Sequence, residues 1–349
     1  MKTRSNNIVF LYAEVTPYLM GCIKHFSSMY PQYNITVFYL DVFSNIKIKK
    51  TKQYKFIPKT KFKSRSNLLD YVIKLNPAII LISGRMDTDY LFIAKKLKNK
   101  VLRVTLQDTL FQRTLKQLLQ RIFSRFLYKR YFDKFWGVGS QQTKFAKSLG
   151  YKTNDIHKGF YVADKIFFNN HVKTIIKENL QFLFIGRLVK EKNILILANA
   201  IETINNQRST KHKLLIIGEG YQYNDLKKIN CVELIGLKTQ EEIISIAKKC
   251  NAFCLPSIYE PWGVVLHEMA ALGLPILSSN KCGSSYDLVE DGYNGFKFNP
   301  YSIESIQESL IKFIDLSIDE KIQFSFNSNK LAKELNHENW NKTLISLLN

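Results

Sequence analysis

Two carboxylates in the stretch SIYEPWGVVLHEMAALGLP could contact one extended ligand. Glu260 precedes a segment whose apolar residues recur near helical spacing, and Glu268 lies within that segment. The helix is predicted to begin near Gly263 and to end at Gly273, which places Glu268 roughly 8 Å along the axis from Glu260. The first N–H groups of a helix have no partner within it and attract anions. The spacing therefore suits a long ligand that carries an anion mid-length.

Two cations in FIGRLVKEKN follow another predicted strand. Arg187 and Lys192, together with the helix N-terminus near Gly263, would form a pocket for a diphosphate. A carboxylate in contact with that anion would repel it, so the two acids are predicted to accept hydrogen bonds from hydroxyls on either side. A sugar would lie at the Glu260 end and a ribose at the Glu268 end. A pair of acids at this spacing also arises in ordinary amphipathic helices, so the pair by itself is weak evidence for a ligand site.

Short apolar runs alternate with helix-length amphipathic stretches, which is typical of α/β proteins with parallel sheets. This alternation is interrupted in HKGFYVADKIFFNNHVKT, which predicts a linker near residues 165–178. We expect two tandem Rossmann-like, doubly wound domains at 1–168 and 169–330, followed by a C-terminal helix at 331–349 that could pack back on the first domain. The predicted strands are NIVFLYA, ITVFYLD, AIILISG, VLRVTL and FWGVGS in the first half, and QFLFIGR, KLLIIGEG, VELIGL, AFCLPS and PILSS in the second.

The net charge of +22 is concentrated in the first half of the chain. Residues 1–170 contain 31 Lys/Arg and 9 Asp/Glu, whereas residues 171–349 contain 20 of each. This asymmetry points to an acidic partner of the first domain: nucleic acid, an anionic membrane surface or a phosphorylated substrate. A solvated basic surface without a partner is the alternative.

The segment TLKQLLQRIFSRFL (114–127) has an apolar face and a polar face at helical spacing. With Lys129, Arg130 and Lys134 following, it could lie on anionic lipid as an interfacial helix. A helix packed on its own sheet produces the same pattern, and the sequence leaves both interpretations open.

Cysteine usage and the N-terminus indicate a cytoplasmic protein. The five cysteines have no paired-ligand spacing and are odd in number, which argues against a disulfide framework or a zinc site and predicts buried thiols. The apolar run IVFLYA before Glu14 is too short for a secretory core, and no run reaches the length of a membrane span. A peripheral position at the inner membrane face remains compatible with these features.

Taken together, the ordered motifs resemble the family 4 glycosyltransferases of the GT-B fold, across roughly residues 135–300. GRLVKEKN looks like the family's G-R-L-x-x-E-K-G, and IIGEGYQYNDL like its I-x-G-x-G. LPSIYEPWGVVLHEMAALGLPIL is similar to P-S-x-x-E-x-F-G-x-x-x-x-E-A-x-A-x-G-x-P, and CGSSYDLVEDGYNGFKFNP follows in the place of its G-G-x-x-E-x-V-x-D-G-x-N-G-x-L-x-P. The resemblance implies two domains that face each other across a cleft.

The resemblance also implies a function and residue roles. It implies retaining transfer of a hexose-type sugar from a nucleotide-diphospho-sugar, UDP favoured over GDP, without a further cofactor. The acceptor would be a hydroxyl of a glycan or polyprenyl-linked glycan in bacterial surface polysaccharide assembly. Arg187 and Lys192 would hold the diphosphate, Glu268 the ribose and Glu260 the sugar. The site would be completed by Trp262 and by the backbone amides of Gly263 and Val264.

The sequence departs from the family pattern in several places. Trp262 replaces the usual Phe, Asn193 the usual Gly, and the GSS of residues 283–285 a more Gly/Pro-rich loop. The first domain matches less well: TLQD ends in Gln-Asp where many relatives have His-Asp. Asp108, at this strand end, is the candidate catalytic base. A helix-capping acid is the equally plausible alternative for that residue.

Two other functions compete with this interpretation. Asp87 and Asp89 form a D-x-D, by which GT-A glycosyltransferases hold a divalent metal, but a GT-A interpretation leaves the second domain unexplained. A nucleic-acid-binding or membrane-surface-binding protein without transferase activity would also be basic. The sequence shows no RNA-binding signature, stacking platform or zinc module, so we expect no nucleic-acid partner.

Overall fold

The computed structural model describes residues 5–42, 51–110, 122–123, 126, 128–170 and 178–349. The chain divides into two compact units. The first unit consists of Met1–Val162 with Leu335–Asn349, and the second of Ala163–Glu334. Of the predicted linker, residues 165–168 form a short helix in the second unit, while 171–177 lie outside the described residues.

The described part of the first unit is built on a seven-stranded sheet in the order β3-β2-β1-β4-β5-β6-β7, with parallel pairing throughout. Its strands are β1 (Asn7–Val15), β2 (Asn34–Val42), β3 (Tyr54–Pro58), β4 (Ile79–Ser83), β5 (Leu102–Gln107), β6 (Lys134–Gly137) and β7 (Ile156–His157). Its described helices are α1 (Pro17–Met29), α2 (Arg65–Lys74), α3 (Thr88–Lys96), α4 (Ser140–Ser148) and, from the C-terminus, α13 (His337–Leu348).

The second unit has a six-stranded parallel sheet in the order β10-β9-β8-β11-β12-β13. Its strands are β8 (Gln181–Ile185), β9 (Lys213–Ile217), β10 (Val232–Gly236), β11 (Ala252–Leu255), β12 (Ile276–Ser279) and β13 (Gly295–Phe298). Its described helices are α5 (Lys165–Phe168), α6 (Ile194–Arg208), α7 (Tyr223–Leu226), α8 (Gln240–Ala247), α9 (Val264–Leu272), α10 (Ser285–Leu288), α11 (Ile303–Ile314) and α12 (Ile318–Ala332).

The local sequence explains why these elements form. Strands in the middle of each sheet are covered on both faces, so they are continuous apolar runs: Phe10 in β1 and Phe182 in β8 are fully buried. Several helices begin at a side-chain cap. Helix α8 begins with a capping box between Thr239 and Glu242. Each side chain accepts a hydrogen bond from the backbone N–H of the other residue, and neither N–H has a carbonyl partner within the helix.

The C-terminal helix α13 belongs to the core of the first unit through Trp340. The indole is 1% exposed, and its Nε1–H donates to the Phe160 carbonyl at 3.0 Å. Its ring stacks on Phe10 of β1, with centroids 6.5 Å apart. Residues of the C-terminal helix therefore stabilise the sheet of the first unit, which contains β1.

The predicted class, α/β with two tandem Rossmann-like domains, is confirmed. In each sheet the direction of winding reverses at one place, between β1 and β4 in the first unit and between β8 and β11 in the second. Ligands of such sheets bind at the carboxyl ends of the strands beside this reversal. All five cysteines are buried thiols, as predicted. The described residues contain no helix that is long and apolar enough to cross a membrane.

The helix predicted at 114–127 falls almost entirely outside the described residues. Of its predicted apolar face, Ile122, Phe123 and Phe126 are described, and their exposed fractions are 64%, 70% and 78%. The neighbouring Lys129 and Arg130 are also exposed.

Candidate active site

The loop that follows β8 carries Arg187 and Lys192, and backbone contacts hold it in place. The Gly186 N–H donates to the Ile217 carbonyl at 2.9 Å. A Cβ on Gly218 would lie 1.9 Å from the Gly186 carbonyl oxygen, so the loop after β9 needs glycine there. The Arg187 side chain is exposed and forms no ion pair with any residue that the structure describes. It is therefore available to an anion.

Asn193 occupies the position where the resembling family has glycine. Its φ is +56°, in the left-handed region that Gly and Asn adopt most readily. Its side-chain amide donates to the Pro300 carbonyl at 2.7 Å and is buried. The replacement therefore preserves the backbone turn that ends the Lys190–Lys192 segment.

Lys192 forms an ion pair with Glu260, so the structure brings two of the predicted site residues into contact. Their side chains are only 16% and 14% exposed. The backbone on both sides of Glu260 is tied to the segment after β12: its N–H donates to the Lys281 carbonyl at 3.2 Å, and its carbonyl accepts from the Gly283 N–H at 2.9 Å. This parallel bridge fixes where the carboxylate can reach.

Helix α9 begins at Gly263 without a side-chain cap. The first hydrogen bond of the helix runs from the Leu266 N–H to the Gly263 carbonyl at 3.0 Å, so the amides of Val264 and Val265 precede it. Gly263 has a φ of +85°, and a Cβ there would lie 3.0 Å from Cγ of Glu260. Glycine thus lets the Glu260 side chain lie against the helix N-terminus. This end of the helix agrees with the predicted start near Gly263.

Trp262 and the two serines of the GSS segment form the inner support of this turn. The Trp262 side chain is 1% exposed, and among the described residues its Nε1–H has no hydrogen-bond partner. Its carbonyl accepts from the Ser284 N–H at 2.9 Å. The Ser285 hydroxyl donates to the Cys282 carbonyl at 2.7 Å. The indole therefore lies inside the second unit. Hydrogen bonds from Ser284 and Ser285 hold the segment that stands in the place of the family's Gly/Pro-rich loop.

Glu268 lies on α9 and is half-buried. Burial, with the nearby charge of Asp164 as the smaller cause, raises the pKa of its carboxyl group to about 7. Asp164 itself caps α5, accepting from the Ile166 N–H at 3.1 Å. At neutral pH the Glu268 carboxyl is therefore divided between its protonated and ionised forms.

His267, next to Glu268, was not singled out by the sequence analysis. It is fully buried, and its Nδ1 accepts from the Ala163 N–H at 3.2 Å. Its Nε2 lies 3.0 Å from the Ala332 carbonyl, so Nε2 carries the proton and donates. These two hydrogen bonds connect α9 to Ala163, which precedes α5, and to Ala332, the last residue of α12. They therefore fix the rotation of α9 about its own axis, which sets the position of Glu268. No local signal distinguishes such a histidine from any other.

Asp108 lies in the first unit, in the wall of a cavity of about 810 Å³. One of its carboxylate oxygens accepts from the Tyr161 hydroxyl at 3.2 Å, and its carbonyl accepts from the Gln142 side-chain amide at 2.7 Å. The cavity is also lined by Tyr12 and Tyr18, which the sequence analysis did not single out. Aromatic side chains at strand ends are too common for sequence to identify them.

The D-x-D of Asp87 and Asp89 has a structural explanation. Asp87 caps α3, accepting from the N–H groups of Asp89 and Tyr90 at 3.0 and 2.9 Å. Lys59 pairs with both carboxylates, at 2.5 and 2.8 Å. The described residues contain no group of three or more His, Cys, Asp or Glu arranged to hold a metal ion. The fold with two Rossmann-like domains also contradicts the GT-A alternative.

Solved structures share this fold over nearly the whole chain. The lipopolysaccharide outer core galactosyltransferase WaaB in its apo form matches with a TM-score of 0.72 and 18% identity, covering 97% of this chain and 99% of WaaB. Anabaena HepE in complex with UDP and glucose matches with a TM-score of 0.68 and 16% identity, covering 97% and 98%. The fold is GT-B.

The second GT-B domain also has a family match. Residues 167–330 match the family described as glycosyl transferases group 1. This range contains every predicted donor-site residue, from Arg187 to Glu268. The family match covers the second domain and does not extend over the first.

Relatives of known sequence resemble the chain over part of their length. An uncharacterised glycosyltransferase of Methanocaldococcus jannaschii is 25% identical over 228 residues, 62% of this chain and 61% of the relative. The UDP-Gal:alpha-D-GlcNAc-diphosphoundecaprenol alpha-1,3-galactosyltransferase of Escherichia coli is 30% identical over 146 residues, 40% of this chain and 38% of the relative. The chain thus spans less than two thirds of either relative.

Proposed function

We propose that this GT-B protein is a retaining glycosyltransferase that moves a hexose-type sugar from a nucleotide-diphospho-sugar to a hydroxyl of a glycan or lipid-linked glycan. The observation that carries the proposal is the contact of Lys192 with Glu260 beside the uncapped N-terminus of α9. A cation and free helix amides suit a diphosphate, and a carboxylate suits a sugar hydroxyl. The group 1 match of the same domain supports it independently.

The donor diphosphate is held by Arg187 and Lys192, and its distal phosphate meets the backbone amides of Gly263 and Val264. Negative charge grows on the diphosphate as the bond to the sugar breaks. Fixed donors that already surround that charge lower the barrier, because they need no reorganisation at the moment of reaction. The two cations and the helix dipole fill the role that a divalent metal has in other transferases.

Three carboxylates complete the proposed mechanism. Glu268 accepts hydrogen bonds from the ribose and Glu260 from the transferring sugar. Asp108, in the first domain, is the candidate base for the acceptor hydroxyl. Each carboxylate thereby contacts a hydroxyl and avoids the diphosphate.

The donor nucleotide is proposed to be UDP, and the acceptor to be polyprenyl-linked, in bacterial surface polysaccharide assembly. The name of the Escherichia coli relative specifies a UDP-linked donor and a diphosphoundecaprenol acceptor. The excess of 31 Lys/Arg over 9 Asp/Glu in residues 1–170 fits an anionic acceptor and peripheral contact with an anionic inner membrane.

A thermal-shift screen against UDP, GDP, TDP and ADP tests the donor site. A ligand at about 100 times its Kd stabilises by roughly 2.7 kcal/mol, which shifts the melting temperature by several degrees. We expect the largest shift with UDP. A flat response to all four nucleotides would reject the proposed function. A positive response is followed by single-turnover transfer from UDP-hexoses to membrane-extracted acceptors.

A further inference from the structure

Two buried side chains of the segment after β12 hold the backbone turn at which α9 begins. Cys282 and Ser284 are both 0% exposed. The Cys282 thiol donates to the Trp262 carbonyl at 3.1 Å, and the Ser284 hydroxyl donates to the Gly263 carbonyl at 3.3 Å. The Ser284 N–H also donates to the Trp262 carbonyl, at 2.9 Å. The segment therefore fixes two successive carbonyls of the turn.

Each of these carbonyls shares a peptide plane with an amide of the proposed diphosphate site. A trans peptide unit is planar, so its N–H points in the direction opposite to its C=O. The Trp262 carbonyl lies in one plane with the Gly263 N–H, and the Gly263 carbonyl in one plane with the Val264 N–H. The first hydrogen bond of α9 runs from the Leu266 N–H to the Gly263 carbonyl, so the helix itself offers neither amide an acceptor. The direction of both amides is thus set from the carbonyl side.

The Cys282 thiol keeps its proton and can act as a donor at neutral pH. Burial, with the charge of Glu260 as a smaller cause, raises the pKa of this thiol to about 11. Its sulfur lies 3.3 Å from the Ser284 hydroxyl oxygen, and each of the two groups has one proton to donate. With one proton on each carbonyl, the two side chains form a buried polar network. Such a network makes the backbone it holds more rigid.

Ser284 stands at a position where the pattern of the resembling family has glycine. Its φ of −69° and ψ of −23° are accessible to any residue, so the backbone does not require glycine there. A glycine would keep the hydrogen bond from the backbone N–H to Trp262, but it would lack the hydroxyl that holds the Gly263 carbonyl. The side-chain support of this turn is therefore a feature of this chain and not of the family pattern.

We infer that Ser284 and Cys282 are positioning residues of the donor site, which orient the amides of Gly263 and Val264 toward the distal phosphate of the nucleotide. The inference rests on the proposed function, which puts that phosphate at these amides, and it adds the groups that orient them. Both side chains act through the peptide planes, from the side opposite to the N–H groups. Amides that are oriented before the donor binds need no reorganisation as charge grows on the leaving diphosphate.

Isothermal titration of the full-length protein with UDP and with UMP isolates the distal phosphate, because UMP lacks it. Ser284→Ala removes the hydroxyl. We expect the Kd of UDP to rise about threefold to tenfold in this variant, and the Kd of UMP to stay unchanged. A wild-type Kd for UDP in Ser284→Ala overturns the positioning role of Ser284. An equal loss of UMP and UDP affinity overturns it as well, since general damage to the site would have that effect.

A pair of substitutions at Cys282 separates its donor from its volume. Cys282→Ser keeps a donor for the Trp262 carbonyl, and Cys282→Ala removes it. We expect Cys282→Ala to weaken UDP binding and Cys282→Ser to restore most of the affinity. Equal losses in the two variants assign the effect to packing and reject the role of the thiol. If Ser284→Ala does not fold, Ser284→Gly, which introduces the residue of the family pattern, gives the same comparison of UDP with UMP.

Ser278→Ala is the matched control for loss of a buried hydroxyl. Ser278 is 0% exposed, and its hydroxyl donates within β12, to the Ser279 carbonyl at 3.5 Å. We expect the wild-type Kd for UDP in this variant, and a loss equal to that of Ser284→Ala counts against the inference. Wild-type protein that binds UMP as tightly as UDP rejects the inference and leaves nucleotide binding in place. Wild-type protein that binds neither rejects the proposed function, and the inference with it.

Discussion

Lys192 and Glu260, 68 residues apart in the chain, form an ion pair at the N-terminus of α9. Both side chains are largely shielded from water, with 16% and 14% exposure. A diphosphate that binds Lys192 must therefore compete with Glu260 for the ammonium group. In the proposed function this exchange also frees the Glu260 carboxylate to accept from the donor sugar.

Replacing Glu260 with Gln should strengthen the binding of free UDP and weaken sugar transfer. The competitor for Lys192 is lost, which we expect to lower the Kd of UDP about threefold to tenfold, or about 0.7–1.4 kcal/mol. Isothermal titration with UDP measures this. Asp225→Asn, which breaks the exposed pair with Lys228, is the control and should leave the Kd unchanged. Weaker UDP binding in Glu260→Gln would contradict the competition.

The raised pKa of Glu268, about 7, makes stability depend on pH in a defined direction. The folded protein holds this proton more tightly than the unfolded chain, whose carboxyl group has the ordinary value of 4.5. The free energy of unfolding should therefore fall as pH rises from about 4.5 to 7. Glu268→Gln should remove that share of the slope, as measured by melting temperatures of both proteins between pH 4.5 and 8. Parallel curves for the two proteins would contradict a raised pKa.

Donor binding should show the opposite pH trend through the same residue. Ionised Glu268 accepts hydrogen bonds from ribose hydroxyls more strongly than its protonated form, so UDP affinity should rise as pH increases through about 7. Glu268→Ala should cost about 1–3 kcal/mol of UDP binding while the fold is retained. Unfolding of this variant, with UDP affinity intact in the folded fraction, would make Glu268 a structural residue.

Arg187→Ala and Lys192→Ala should each lower turnover more than they lower stability. Both residues face charge that increases as the diphosphate leaves, so their removal costs more in the transition state than in the ground state. The exposed position of Arg187 predicts a small change in melting temperature. Turnover and melting temperature are measured side by side. A large loss of stability with unchanged turnover per folded molecule would contradict this role.

Asp87→Ala should reduce stability and leave sugar transfer intact. The substitution removes the cap of α3, worth about 0.5–2 kcal/mol, and one of the two partners of Lys59. Chelation with EDTA should have no effect on transfer. Activity that is abolished by EDTA, restored by manganese and lost in Asp87→Ala would instead assign this D-x-D to a metal.

The basic region around residue 125 should bind anionic lipid. Reversing Arg121, Arg125, Lys129 and Arg130 to Glu should abolish sedimentation with phosphatidylglycerol vesicles, at roughly 1 kcal/mol per basic residue near the surface. Transfer to a soluble acceptor analogue should persist, which separates loss of docking from misfolding. Equal pelleting of wild type and variant at low and physiological salt would reject membrane contact.

The sequence by itself determined the interior strands of both sheets. All ten predicted apolar runs are strands, and the three strands that were missed, β3, β7 and β13, each lie at the edge of a sheet. An interior strand of a parallel sheet is buried on both faces and must be a continuous apolar run, whereas an edge strand meets solvent and need not be. β7 is also only two residues long. Edge strands therefore carry the weakest local signal.

The sequence also determined where the donor-site residues fall along the chain, because glycine loops, strand ends and a helix start are local features. Their catalytic and binding roles stay predictions. Only the tertiary structure decided that Lys192 contacts Glu260, that Glu268 is half-buried near Asp164, and that Tyr161 bonds to Asp108. Each of these pairs is separated by tens of residues or more. Their contact energies and pKa values depend on distance and burial, which are properties of the packed chain that no local pattern encodes.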